Sequence, residues 1–226
     1  MNILVACEKS GVIRRAFRAR GHNAWSCDLE PSEDNSPFHI RGDAIHAAYG
    51  QSWDILIANP ECRYLCNSGV QWLSRLPKKP KPDVLYLDAR RKAMIEACDF
   101  FAALYHAPIA RKCLENSQMH VYAVDYLQSA WKIPTFTQAA QPYQYGHDAS
   151  KKTCLWLQNL EPLQIPDQSL WFPPRLVTLD SGRIAKRWSN QSDKDGCDIK
   201  SPSAKRSADR ARTFEGIAAQ MATQWG

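Results

Sequence analysis

MNILVACEKSGVIRRAFRARGHNAWSCD, residues 1–28, is the stretch on which the fold turns. Ile3 to Cys7 is a short apolar run of the kind that forms a buried strand. Gly11 follows. Val12, Ile13, Ala16 and Phe17 then recur at helical spacing and predict a helix over 12–20, which Gly21 can close at its C-terminus. Ala24 to Cys27 reads as a second strand ending at Asp28. A strand, a helix and a strand in this order predict parallel strands joined by crossover helices.

The pattern continues outward. Trp53 to Ala58 (WDILIA) is a further strand, ending at Asn59-Pro60. PKKPKP, residues 77–82, breaks the pattern and reads as a loop. A long amphipathic helix is predicted over Asp88 to Leu104, with Ala93, Met94, Ala97, Phe100, Phe101 and Leu104 spaced by three and four. Ala110 to Leu114 is a strand ending at Glu115-Asn116, CLWL at 154–157 is another, and Thr213 to Trp225 reads as a closing helix. Between them, 159–207 is rich in prolines and charges and has little periodicity. The expected class is α/β, a mostly parallel sheet flanked by helices. Ligands gather at the carboxyl ends of such strands. Those ends carry Glu8 to Gly11, Asp28, Asp43, Asn59 to Cys62, and Glu115.

Composition narrows the class. The 226 residues are 44% hydrophobic and 23% charged, which excludes whole-chain disorder. No apolar run is long enough to cross a membrane, and the N-terminus has no basic leader, so a cytoplasmic location is expected. The eight cysteines include no CxxC; the nearest pair is Cys62 and Cys66, and no metal site is expected. A net charge of +6 fits an anionic partner such as nucleic acid.

Two residues suggest chemistry. Cys62 follows a strand end on a proline-containing loop, Asn59-Pro60-Glu61-Cys62-Arg63, from which a thiol can reach a cleft; Arg63 is the nearest cation in sequence. Alone, a loop cysteine is more often structural. Glu115 ends a different strand and can face the same cleft. A thiol and a carboxylic acid together suit addition to a pyrimidine, the sulfur at C6 and the acid at N3 of cytosine.

These segments, in this order, resemble the cytosine-C5 DNA methyltransferase family. Pro60, Cys62, Leu65 to Ser68 and Gly69 match its Pro-Cys loop, and Glu115-Asn116-Ser117 matches its Glu-Asn-Val motif. Cys7 to Gly11 stands for the opening glycine-rich loop, Asp28 for the acid that holds the cofactor ribose, and Asp43 for the Asp near the adenine. Tyr145-Gly146, then Ser150-Lys151-Lys152-Thr153 and CLWL, stand for the later Tyr-Gly and Gln-x-Arg-x-Arg strand. The resemblance implies a Rossmann-like S-adenosylmethionine-dependent methyltransferase fold, S-adenosylmethionine as cofactor and DNA as partner. The implied catalytic residues are Cys62, Glu115, Asn116 and Lys152, the last preferred to Lys151. The implied cofactor residues are Cys7, Glu8, Gly11, Asp28, Asp43, Asn59 and Pro60. The implied organisation is a catalytic core over 1–158, a reduced recognition region over 159–206 and a C-terminal helix within 207–226 packing back on the core, in a monomer.

The chain departs from the pattern at several points. Lys9 stands where a glycine is usual, Glu61 replaces a proline beside Cys62, and lysines replace the arginines that touch the pyrimidine carbonyl. The recognition interval is short. Its candidates for phosphate contact are Lys186, Arg187, Lys194, Lys200, Lys205 and Arg206, with Trp171 and Trp188 as stacking surfaces. Arg14, Arg15, Arg18 and Arg20 read as the solvated face of the first helix. Competing readings are C5 methylation of a free pyrimidine nucleotide, exocyclic amino methylation, for which Asn59-Pro60 is the only signal, and a DNA-binding relative without catalysis.

Overall fold

β1 (Asn2–Ala6), β2 (Asn23–Asp28) and β4 (Ile55–Ala58) form the centre of the sheet, and all three pair in parallel. The structure, a computed structural model, describes residues 1–67, 73, 84–179, 181–191 and 213–226, with 84–87 by backbone alone. Ser68, Gly69, the PKKPKP loop, Lys194, Lys200, Lys205 and Arg206 lie outside the described residues. With β3 (His39–Arg41), β5 (Arg111–Ser117), β6 (Gln138–Ala140) and β7 (Thr153–Gln158), the sheet has seven strands in the order β3-β2-β1-β4-β5-β7-β6. β7 alone is reversed: it pairs antiparallel with both β5 and β6. The mostly parallel, Rossmann-like α/β sheet expected from the sequence is therefore present.

Alternation along each strand divides the core in two. Leu4, Leu56, Leu114 and Trp156 face α2 (Ala44–Gly50), α3 (Val84–Tyr105) and α4 (Val121–Trp131). Ile3, Val5, Ile55, Ile57, Cys113 and Leu155 face α1 (Val12–Ala19) and α5 (Glu215–Trp225). Strands covered on both faces read as continuous apolar runs, which is why ILVA and ILIA were legible. Phe17 of α1 and Trp225 of α5 are essentially inaccessible to solvent, and each such side chain contributes roughly 1.5–3 kcal/mol. Gly21 ends α1 as expected. It sits at φ 87°, its N–H donates to Arg18 O, and the next N–H donates to Phe17 O.

Several boundaries differ from the sequence reading. β1 ends at Ala6, and Cys7 turns out of it with φ 58°. The WDILIA strand begins at Ile55, because the Trp53 indole N–H donates to Ala47 O and the ring packs under α2. Glu115 and Asn116 lie inside β5 rather than beyond it. The parallel partner β4 stops opposite Leu114, but reversed β7 extends the ladder through Glu115↔Leu155, Asn116↔Cys154 and Ser117↔Thr153. In the stretch of little periodicity, β8 (Arg175–Thr178) and β9 (Ile184–Arg187) form a separate antiparallel hairpin. Among the described residues no helix is long and apolar enough to cross a membrane.

Candidate active site

The chain crosses from one half of the sheet to the other between β1 and β4, the switch point where open α/β sheets leave a crevice. Cys7, Asp28 and Asn59 each follow or end a strand there, and Asn59 N–H donates to Ala6 O across the gap. Beyond Pro60 the chain coils into one turn: the Leu65 and Cys66 N–H groups both donate to Cys62 O, at 3.0 and 2.9 Å. That turn places Cys66 one helical turn from Cys62, on the same side.

The end of β5 holds this turn. Asn116 Nδ2 donates to Pro60 O at 2.9 Å, Asn67 N–H donates to Gln118 O at 3.1 Å, and His120 N–H donates to Leu65 O at 2.9 Å. Glu115 and Ser117 share a face of β5 with Cys113, so both point toward α5. Glu115, Asn59, Lys151, Thr153, Phe214, Ile217 and Met221 line a narrow cleft between the sheet and α5. Cys62 is not in that wall. Its thiol is nevertheless near enough to the same edge to be acted on by Ser117 and by the charge of Lys151.

Lys151 Nζ lies 3.6 Å from Glu115 Oε1, both side chains being largely buried. A hydrogen bond with Cys66, then burial, drive the Cys62 thiol well above the usual thiol range; Ser117 and Lys151 act in the opposite direction. Glu61 is exposed to solvent beside it. Arg63, the nearest cation in sequence, turns to the Tyr64 ring, so Lys151 is the cation that Cys62 feels. Lys152 takes the other direction: it is exposed, donates to Gln118 Oε1 at 3.1 Å and lies over the Phe136 ring. Adjacent residues of a strand face opposite ways, and Lys151 has the parity of Thr153 and Leu155, the partners of Ser117 and Glu115. The preference for Lys152 over Lys151 does not fit this geometry.

The remaining sequence candidates divide. Cys7, Asp28 and Asp43 are neighbours. Burial first, then the charges of Asp28, Cys27 and Asp43, push the Cys7 thiol up. Asp28 Oδ1 accepts from Glu30 N–H, and Asp43 Oδ1 caps α2 through the Ile45 and His46 N–H groups. Glu8 is buried and turns inward to accept from the Ile13 and Arg14 N–H groups at 2.7 and 3.3 Å, so its carboxylate closes the N-terminus of α1. Burial raises the Glu8 carboxyl to about 7, against those hydrogen bonds. Gly11 has φ 68°, and a Cβ there would lie 2.3 Å from the Arg14 guanidinium. Among the described residues, the buried Oδ1 atoms of Asn59 and Asn116 have no hydrogen-bond partner.

Two expectations are corrected. Arg14 is not on the wet face of α1: only 1% exposed, it donates to Ser26 Oγ at 2.7 Å and pairs with Asp34. Its angular position beside Ile13 and Phe17 makes it an inward residue, and Asp34 and Ser26 supply the partners that let a guanidinium stay there. Trp188 is 9% exposed and stacks on Tyr143 with ring centres 4.3 Å apart, so it is a wall of the fold rather than a platform for a base. Trp171 packs edge-on against the same Tyr143. Lys186 is exposed on the β8–β9 hairpin and Arg187 is half-buried there. The inward role of Ser117 and the pinning role of His120 had no sequence signal short of the register itself.

No family model and no curated protein matches the chain. Among solved structures it is similar to a crystal structure described as a candidate DNA modification methyltransferase encoded within a prophage, from E. coli, with 12% identity and a TM-score of 0.48. That match covers 74% of this chain and 51% of the other, so the chain spans about half the length of that protein.

Proposed function

We propose that this protein is a methyltransferase acting on C5 of cytosine in DNA, with Cys62 as nucleophile and Glu115 as its acid partner. The observation that carries this reading is that one largely buried lysine at the end of β5 lies near both groups. Lys151 contacts Glu115 and acts on Cys62, and Ser117, on the strand that bears Glu115, acts on the Cys62 thiol as well. Their 53-residue separation in numbering is closed by β4 lying beside β5. The basic net charge supports a polyanionic substrate.

The crevice suits a cofactor without phosphates. A pyrophosphate would need the N-terminus of α1, and the Glu8 carboxylate already holds it. The unpartnered Asn59 Oδ1 and the acids Asp28 and Asp43 are acceptors for ammonium, ribose or adenine donors. S-adenosylmethionine, which supplies a methyl group, matches that donor set. Asn59, Asp28 and Asp43 would hold it, with Pro60 and the turn at Cys7 shaping the wall.

In this reading the Cys62 thiol gives its proton to water and its sulfur bonds to C6, while Glu115, reacting as the carboxylic acid, gives its proton to N3; the electron pair displaced from the ring is accommodated and C5 becomes nucleophilic. Lys151 donates to the pyrimidine carbonyl. After methyl transfer, water takes the C5 proton, N3 returns its proton to Glu115, and departure of the Cys62 sulfur restores the ring. Asn116 keeps Pro60, and with it the cysteine turn, at the end of β5. The target cytosine in duplex DNA must be flipped out of the stack.

A trap tests the mechanism. In DNA containing 5-fluorocytosine the C5 substituent cannot leave as a proton, so the protein should stay attached through Cys62, and Cys62→Ala should give no adduct. Digestion of ordinary treated DNA should yield 5-methylcytosine. Equal labelling of DNA by the parent protein and the Cys62→Ala variant would end the proposal.

A further inference from the structure

His120 is 1% exposed and joins two elements through one ring. Its Nδ1 accepts from Ala123 N–H at 3.1 Å, which caps α4. Its Nε2 lies 3.0 Å from Tyr64 O. A carbonyl can only accept, so Nε2 carries the hydrogen and Nδ1 is the bare nitrogen, one tautomer fixed from both sides. The two bonds make the N-terminus of α4 and the cysteine turn a single unit.

The carbonyl held by the imidazole belongs to the residue two positions after Cys62, within the turn itself. The other ties between this segment and the turn fall elsewhere: Asn116 holds Pro60 ahead of the cysteine, while Gln118, Met119 and the His120 backbone hold Leu65 to Asn67 after it. The Tyr64 ring is covered by the Arg90 guanidinium at 4.4 Å, so the side chain is fixed while its carbonyl is fixed from the opposite element. A nucleophile on a turn gains rate only when its approach geometry is held.

We propose that His120 is a positioning residue for Cys62: the imidazole pins the Tyr64 carbonyl and so sets the direction in which the sulfur is presented. This rests on the reading of Cys62 as nucleophile. The side chain does two separable things, capping α4 and holding the turn, and substitution can separate them. Asparagine is among the best helix caps, so His120→Asn retains an acceptor for Ala123 N–H, but its side chain is too short to span to Tyr64 O as well. His120→Ala removes both functions.

The experiment compares the parent protein, His120→Asn and His120→Ala by thermal unfolding, by peptide-resolved alkylation of Cys62 with iodoacetamide, and by kcat and KM for methyl transfer to DNA. For His120→Asn the expected result is a melting temperature close to the parent's, alkylation of Cys62 several-fold faster with other cysteines unchanged, and a kcat lower by roughly tenfold to a hundredfold at similar KM. His120→Ala should add a loss of stability. Parental alkylation and turnover in His120→Asn would overturn the proposal, as would a melting temperature as low as that of His120→Ala with all cysteines labelling faster. If the parent protein transfers no methyl group while the selective change at Cys62 persists, the pin stands and the assigned activity fails.

Discussion

Lys151 Nζ stands 3.6 Å from Glu115 Oε1, with 18% and 9% of their side chains exposed. The same ammonium eases the burden on the Cys62 thiol. One lysine therefore acts on both groups assigned to the chemistry. Removing it should weaken methyl transfer by a factor on the order of 10²–10³, the usual effect of deleting a donor aimed at developing charge. Lys151→Met and Lys152→Met, compared by tritium transfer to DNA, check this; Lys152→Met should stay within a few-fold of the parent.

Cys66 is the first cause of the raised Cys62 thiol, ahead of burial. Cys66→Ala should lower it, increase the thiolate fraction at neutral pH and speed alkylation of Cys62, while keeping most of the methyl transfer. In the parent, alkylation should keep climbing with pH beyond the range in which ordinary cysteines level off. A plateau below pH 9 in both proteins would count against the assigned contact.

Glu8 gives stability a definite pH slope. Its carboxyl is about 7 when folded against an ordinary 4.5, so between those values the folded protein holds a proton that the unfolded chain does not. Stability is full below the lower value and declines as pH rises through the upper one, by on the order of 3 kcal/mol. Glu8→Gln should flatten that decline, because the amide stays uncharged and still accepts from one α1 N–H. Denaturant titrations of both proteins at pH 5 and pH 8 measure the difference.

Gly216 opens α5 against the segment before β7. A Cβ there would sit 2.2 Å from Tyr145 O and 2.9 Å from His147 Nε2. Alanine normally favours a helix interior over glycine by about 1 kcal/mol, yet here backbone must move. Gly216→Ala should lower the melting temperature and, by shifting Phe214 and Ile217 against Glu115 and Lys151, reduce methyl transfer measured by tritium incorporation into DNA.

The central strands were legible because both faces are buried: ILVA, ILIA and CLWL carry the signal without any partner being known. Gly21 was legible because a Schellman turn needs a left-handed residue. β3 and β6, with three residues each, fall below the length at which periodicity speaks. Cys62 and Glu115 could be placed at strand ends but not relative to each other, since their relative position depends on β4 lying next to β5. Arg14 failed for a similar reason. A buried guanidinium looks like any other helix arginine until Asp34 and Ser26 are seen beside it.

The choice between two consecutive lysines is made by the β5–β7 ladder. Thr153 opposite Ser117 sends Lys151 to the pocket and Lys152 to the Phe136 side. Sliding β7 by one residue would exchange their places, because every side chain of a slipped strand changes face. The strand thus behaves like a vernier: deleting Ala149 or Ser150 and adding one uncharged residue within 159–162 would deliver the other ammonium to Glu115 with no change of charge, and would move Leu155 and Trp156 out of their cores at the same stroke. What protects the identity of the lysine in the pocket is the hydrophobic cost of that slip.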